Sequence, residues 1–181
     1  MNFFQLNEAL ENGIGYKIFC DLDGVLVDLE RGISDHFGIE KSISNQKIQE
    51  LLDKLEESDV DMEDFFQKLH WMKDGKELWT YLLPYEPMIL TAATHHRDPH
   101  IVAGKYKWCA SHLDLPKSRV IMESEKYIYA KPRHILIDDT PEKIVGWTNA
   151  GGLGILHRNA GDSIDEIKQI FLTKRQGKIK L

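Results

Sequence analysis

Two carboxylates spaced two apart, Asp21 and Asp23, interrupt an otherwise apolar stretch that reads YKIFCDLDGVLVD from Tyr16 to Asp28. In an extended strand such residues point to one side, so the spacing predicts two acids delivered together at the strand's carboxyl end. Gly24 follows and lets the backbone turn without a Cβ penalty. Acids at the mouth of a buried strand are costly unless a cation or a hydrogen-bond network holds them. A second acidic pair, Asp138-Asp139, ends the apolar run Ile135–Ile137, and a hydroxyl, Thr91, ends the run Met88–Leu90. An isolated acid-x-acid pair more often marks a solvated turn; the joint occurrence at three run ends is what carries chemical meaning. Four clustered carboxylates repel one another in a low-dielectric cleft. A hard divalent cation relieves that repulsion, and oxygen ligands beside a phosphate favour Mg2+. With the cation present, one aspartate can stay ionised as a nucleophile while its neighbour carries a proton. A nearby hydroxyl and lysine would bind the peripheral oxygens of a phosphoryl group.

The elements that must position these residues can be read from periodicity. Tyr16–Cys20, Met88–Leu90, Val120–Met122, Ile135–Ile137 and Leu153–Leu156 read as strands, each short and apolar. Phe3, Phe4, Leu6 and Leu10 suggest an amphipathic helix before the first of them. Between the first two strands the pattern is helical, with Ile48, Leu51, Leu52 and Leu55, then Met62, Phe65, Phe66 and Leu69 behind an Asp61 cap, then Leu78, Trp79, Leu82 and Leu83. Later, Val102, Tyr106, Cys109 and Leu113 define one helix face. Thr140-Pro141-Glu142 predicts a helix start with the threonine hydroxyl as cap, and Ser163 with Glu166 a capping box. The helix after Pro141 stops at Gly151-Gly152. Strands alternating with helices mean an α/β fold, with a parallel sheet of about five strands between helices. The expected division is a core of residues 1–28 and 85–181, with a small helical insert at 29–84. In such sheets ligands sit off the carboxyl ends of the strands, where the acids and Thr91 fall.

Bulk properties narrow the field. A chain of 181 residues, 42% hydrophobic and 29% charged, can bury one sizeable core plus a small insert. The net charge of −6 speaks against a long nucleic acid as partner, because such surfaces are normally basic. Cys20 and Cys109 lie in apolar contexts without metal-ligand spacing, which predicts buried, reduced thiols. The N-terminal MNFFQLNEALENG lacks the basic start and apolar centre of a signal peptide. No apolar run approaches the roughly 20 residues of a membrane span, so the expectation is no membrane and a cytoplasmic location.

DLDGVLVD, MILT, a lysine and ILIDDT closely resemble the four motifs of the haloacid dehalogenase-like (HAD) phosphohydrolases, over about Tyr16 to His157. The helical insert, FFQKL before MKDGKELW, KYKW and the short run from lysine to LIDD resemble the 5'(3')-deoxyribonucleotidase branch. The resemblance implies a HAD-like Rossmannoid core with a helical cap. It implies a Mg2+-dependent phosphomonoesterase with an aspartyl-phosphate intermediate, acting on (deoxy)nucleoside monophosphates. In that reading Asp21 is the nucleophile. Asp23 is the general acid and then the base, and its carbonyl also binds the metal. Thr91, with backbone N–H groups of Leu22 and Ala92, binds the phosphoryl oxygens. Asp138 and Asp139 complete a metal set of Asp21, Asp23, Asp138 and Asp139. The lysine is Lys126, placed as in the nucleotidases, or alternatively Lys131 in YAKPRH; Lys126 is favoured. Phe65 or Phe66 would offer a platform for the base, Trp71 less so, and His95 with His96 extra contacts at the rim. The implied partner is a small phosphorylated substrate, with a homodimer allowed for. Two rivals stay open: a related phosphatase for another small phosphoester or a nucleic-acid end, and a catalytically idle domain that binds a ligand or partner. Such an idle domain would have no need of the second aspartate.

Overall fold

The computed structural model describes residues 15–92 and 98–177. The helix expected on Phe3, Phe4, Leu6 and Leu10, and the histidines His95 and His96, lie outside the described residues. The five apolar runs form β1 (Lys17–Cys20), β2 (Met88–Thr91), β3 (Val120–Met122), β4 (His134–Asp138) and β5 (Leu153–Leu156). They pair in the order β3-β2-β1-β4-β5, every neighbour parallel. Near-continuous apolar strands are what a sheet covered on both faces requires. Alternation across β1 sends Ile18 and Cys20 into the main core, while Phe19 packs with Leu90, Leu136 and Trp147 in a smaller one. The chain moves from β1 to β2 and β3 on one side, then returns to β4 and β5 on the other. Strand order thus reverses between β1 and β4, the place where open α/β sheets leave a crevice at their carboxyl ends.

Four helices separate β1 from β2: α1 (Leu29–Phe37), α2 (Asn45–Glu56), α3 (Met62–Gln67) and α4 (Gly75–Leu82). Only Ile33 of α1 is buried, too narrow an apolar stripe for periodicity to reveal that helix. Asp61 caps α3 as expected, its carboxylate accepting the Asp64 N–H at 3.0 Å. The chain re-enters beside its exit, with the Asp28 N–H bonded to the His70 carbonyl and the Met72 N–H to the Leu26 carbonyl, both at 2.8 Å. Leu51, Leu52, Leu55, Met62 and Phe66 join the same core as Ile18 and Ile89. After β2 come α5 (Pro99–Leu113), α6 (Pro141–Asn149) and α7 (Ala160–Gly177). Helix α3 packs along α5, and α4 along α7. Among the described residues no helix is long and apolar enough to cross a membrane.

Three local expectations are corrected. The buried face of α5 carries Ile101, Gly104, Lys105, Trp108, Cys109 and Leu113, whereas Val102 and Tyr106 are only partly covered. Periodicity of apolar residues missed this rotation because a lysine occupies the centre of the buried face. Thr140 precedes α6, but its hydroxyl makes no cap bond and instead donates to Asp139 Oδ1 at 3.3 Å. Helix α7 starts at Ala160, not at Ser163, because Asn159 accepts the Asp162 N–H and Asp74 accepts the Ala160 N–H. The Ser163 hydroxyl is consumed inside the fold by His157 Nδ1, 2.9 Å away.

Glycine at 104 is required by the approach of α3 to α5. A Cβ there would lie 2.6 Å from the Glu63 carbonyl oxygen and 2.7 Å from Phe66 Cβ. Gly104→Ala is expected to destabilise by about 1–3 kcal/mol through overpacking. Gly146→Ala in α6 would meet only Tyr127 Cβ at 4.0 Å. It is expected to stabilise by about 0.5–1 kcal/mol through helix propensity. Urea denaturation of the two variants checks the opposite signs.

Candidate active site

The site begins where β1 ends. Asp21 still follows the sheet, its N–H donating to the Ile137 carbonyl at 2.9 Å. The chain then turns tightly, with the Leu22 carbonyl accepting from the N–H groups of Leu26 and Val27 at 2.8 Å and from Val25 at 3.3 Å. Gly24 has φ +75°, and a Cβ there would collide with the Asp139 carboxylate. The turn separates the two acids. Alternation within a strand no longer governs Asp23, and the carboxylates of Asp21 and Asp23 find different partners.

Asp21 faces Asp138, the last residue of β4, with Lys126 between them. The Lys126 ammonium forms an ion pair with Asp21 Oδ1 at 2.8 Å and donates to Asp138 Oδ2 at 2.6 Å. Lys126 opens a one-turn 3-10 helix at Lys126–Tyr129 and is 2% exposed. Burial alone would lower its pKa, but the charges of Asp21 and Asp138 outweigh that and raise it. Asp138 is fully buried; its other oxygen accepts the Thr140 N–H at 2.9 Å, and its carbonyl accepts the His157 N–H at 2.8 Å. Burial, and then the charge of Asp21, raise its pKa. Asp139 completes the group: one carboxylate oxygen from each of Asp21, Asp138 and Asp139 lies within 4.8 Å of the others. Burial and then the charges of Asp21 and Asp138 push Asp139 up to about 7. Because the residue is exposed at the rim, the like charges are the part of that push that survives contact with water.

Asp23 belongs to a second cluster. Its Oδ2 pairs with the ammonium of Lys105 at 2.5 Å. The same ammonium donates to the Ala92 carbonyl at 2.7 Å and lies 3.4 Å from Thr91 Oγ1 and 5.5 Å from the centre of the Phe66 ring. Thr91, wholly buried, closes β2 beside it. Lys105 opens the KYKW stretch noted in the sequence but carried no expected role, although a signal for burial existed. It sits three and four residues from Trp108, Cys109 and Ile101, and so interrupts an apolar stripe.

The remaining candidates are placed as follows. Lys131 is exposed on the loop before β4, away from the buried position that Lys126 fills. Leu22 and Ala92 flank the site at the ends of β1 and β2. Phe66 is buried against Phe65 and beneath Lys105. Phe65 is half-buried and lines a cavity of about 450 Å³ among the helices after β1, together with His36, Asp61, Asp64, Lys68 and His70. Trp71 packs against Trp108. Both cysteines are free and buried, and burial raises both thiols, Cys109 to about 12.

The donor set suits a hard divalent cation. Asp21, Asp138 and Asp139 offer only oxygens, the ligand type that Mg2+ prefers. Asp23 Oδ1 is buried with no hydrogen-bond partner, and Asp21 Oδ1, buried as well, meets only the Lys126 ammonium. Such oxygens are costly to leave without a ligand. Four ionised carboxylates against two ammoniums leave a formal charge of −2, which one divalent ion balances. At an effective dielectric of about 20, the Asp21–Asp138 repulsion alone amounts to roughly 3 kcal/mol.

No protein-family model matches the chain. No curated protein matches it either. Solved structures with a similar chain path include a protein from Burkholderia xenovorans described as haloacid dehalogenase-like, at 13% identity and TM-score 0.49, covering 87% of this chain and 99% of that one. A Had-superfamily hydrolase from Ehrlichia chaffeensis is 13% identical with TM-score 0.47, over 85% and 96% of the two chains. A hydrolase from Streptococcus pneumoniae is 14% identical with TM-score 0.46, over 86% and 97%. Likenesses this distant carry no inference about activity, which rests on the site itself.

Asp139 makes the site sensitive to pH. Its pKa is raised on folding, so the folded chain holds the proton more tightly than the unfolded one between pH 4 and about 7. Stability from this group is therefore present at low pH and lost as pH rises through that window. Asp139→Asn is expected to raise the melting temperature, without added metal, at pH 8 and to change it little at pH 4. A series of thermal melts across pH checks this.

Proposed function

We propose that the chain is a Mg2+-dependent phosphomonoesterase that works through an aspartyl-phosphate on Asp21. The observation that carries the reading is the pairing of buried Lys126 with Asp21 and Asp138, beside a buried oxygen of Asp23, Oδ1, that accepts no hydrogen bond. A carboxylate nucleophile held beside a fixed cation is what a phosphoryl group needs on arrival. Asp21 attacks phosphorus, and the bond to the leaving oxygen breaks as the Asp23 carboxyl gives it a proton. Water then attacks the aspartyl-phosphate and passes its proton to Asp23, while the bond from Asp21 to phosphorus breaks. The products are an alcohol and inorganic phosphate. Lys126 holds Asp21 in place throughout and offsets charge on the phosphoryl oxygens, with Thr91 as a hydroxyl donor beside them. Mg2+, held by Asp21, Asp138 and Asp139 with the Asp23 carbonyl, would supply Lewis-acid stabilisation of those oxygens.

For the substrate we favour a (deoxy)nucleoside monophosphate, which the resemblance of the insert and KYKW to the nucleotidase branch supports. Phe65, half-buried among the helices after β1, keeps ring surface that could meet a base, whereas Phe66 is buried. Those helices would close over the site and exclude water. A sugar phosphate or another small phosphoester is the rival that a substrate panel separates.

The expected result is phosphate release from an aryl phosphate that needs Mg2+ and stops on chelation. Asp21→Asn should reduce turnover by at least about a thousandfold, while far-ultraviolet circular dichroism shows that the variant folds. Lys126→Ala should cost roughly a hundredfold or more in kcat and Lys131→Ala little. A larger loss at Lys131 overturns the assignment of the lysine. In a nucleotide and sugar-phosphate panel, kcat/KM should be highest for a nucleoside monophosphate.

A further inference from the structure

Lys105 is a second buried ammonium beside the reacting groups, and the mechanism above gives it no task. Its side chain is 4% exposed and rises from the middle of α5, a helix that contributes no other side chain to the carboxylate cluster. Burying a lysine is expensive unless it is paired and hydrogen-bonded. Three oxygens surround this one: Asp23 Oδ2 at 2.5 Å, the Ala92 carbonyl at 2.7 Å and Thr91 Oγ1 at 3.4 Å. Two of them belong to the end of β2, whose backbone the sheet holds in register with β3. The third is a carboxylate on the turn after β1, which the strand geometry does not orient. Lys105 thus connects the end of a sheet strand to an acid on the turn after another.

We propose that Lys105 is a positioning residue for Asp23: it ties Oδ2 to the end of β2 and so leaves the buried, unpartnered Oδ1 to exchange the proton with substrate and water. This rests on the reading of Asp23 as the acid and base of a phosphomonoesterase. The geometry fits the role. A carboxylate bound through one oxygen has its second oxygen fixed by the plane of the group, which gives the orientation that proton transfer needs. Phe66 is the other neighbour of the ammonium. The close approach at Gly104 holds α3 against α5 and keeps that ring in place. Acid, strand end and the helices after β1 therefore meet at one nitrogen. Contact with the phosphate is not part of the role, so substrate binding should not depend on Lys105.

The test uses Lys105→Met, which keeps the length and the apolar stem, and Lys105→Gln in case the first folds poorly. Both are compared with Asp23→Asn and with the double variants, using Mg2+ and an alkyl phosphomonoester. In either Lys105 variant kcat should fall by about 10- to 100-fold with KM within about twofold of the parent. In the Asp23→Asn background the same change should cost less than about twofold, because a residue that acts through Asp23 has nothing left to orient. A rise in KM with kcat unchanged would show a ligand-binding lysine and overturn the proposal. Losses that multiply in the double variants would show a merely structural one and overturn it as well. A further readout needs no turnover. In 15N-lysine spectra the Lys105 ammonium should exchange slowly with water, and Asp23→Asn should speed that exchange. Unaltered exchange overturns the pairing. If the parent releases no phosphate from any compound in the panel, the functional reading fails, and the ammonium spectra still decide whether Lys105 holds Asp23.

Discussion

Carboxylates cannot be gathered at one edge of a buried sheet unless positive charge is gathered with them. Asp21, Asp138 and Asp139 have oxygens within 4.8 Å of each other, and Asp23 lies one turn away. Each pair repels by several times the thermal energy at the dielectric of a protein interior. Lys126 and Lys105, both buried, provide the protein's own compensation. The two lysines divide the acids between them, one holding the pair at the ends of β1 and β4, the other the acid beside β2. The formal charge that remains, −2, is what one divalent cation, as proposed above, would balance.

Much of the surrounding structure can be understood as support for that balance. Parallel pairing of β1 with β4 brings Asp21 and Asp138 to the same level, because Cys20 is in register with Ile137. Gly24 turns the chain where any Cβ would displace Asp139. The Thr140 N–H and the His157 N–H hold Asp138 from two further directions, at its side chain and at its carbonyl. His157 is itself braced by Ser163, and burial lowers its pKa, so it adds no second positive charge behind the acid. None of these groups needs to meet a substrate for its removal to be felt there.

The helices between β1 and β2 are not a loosely attached lobe. Their apolar residues merge with the core beneath the sheet, and the backbone bonds between 26–28 and 70–72 fasten their two ends beside the turn that carries Asp23. Any movement of these helices would be felt at the acids through Phe66 and Lys105. On the reading proposed above, closure over a substrate and orientation of the proton-carrying acid would share one mechanical path.

How much could be read without coordinates follows from which signals are local. Five apolar runs with sharp ends, the acids and threonine at those ends, and the alternation with helices are sequence-local features, and they led to the sheet, its carboxyl rim and the residues Asp21, Thr91, Asp138 and Asp139. Lys126 could be favoured over Lys131 only by the family resemblance; the structure places Lys126 buried between Asp21 and Asp138 and Lys131 on an exposed loop. Other features depended on long-range contact and left no local trace. Asp23 parts from Asp21 because the chain leaves the strand at Leu22; Ser163 gives up its capping role because His157 lies six residues back but folds against it. Lys105, 82 residues from Asp23, belongs to the KYKW stretch noted in the sequence, but nothing local linked it to that acid. Sequence by itself determined which side chains end the strands, because burial of strand interiors demands apolar residues and makes every polar one conspicuous. Only the tertiary structure decided which charge neutralises which, because a buried charge is tolerated through partners that chain folding, not chain order, brings within reach.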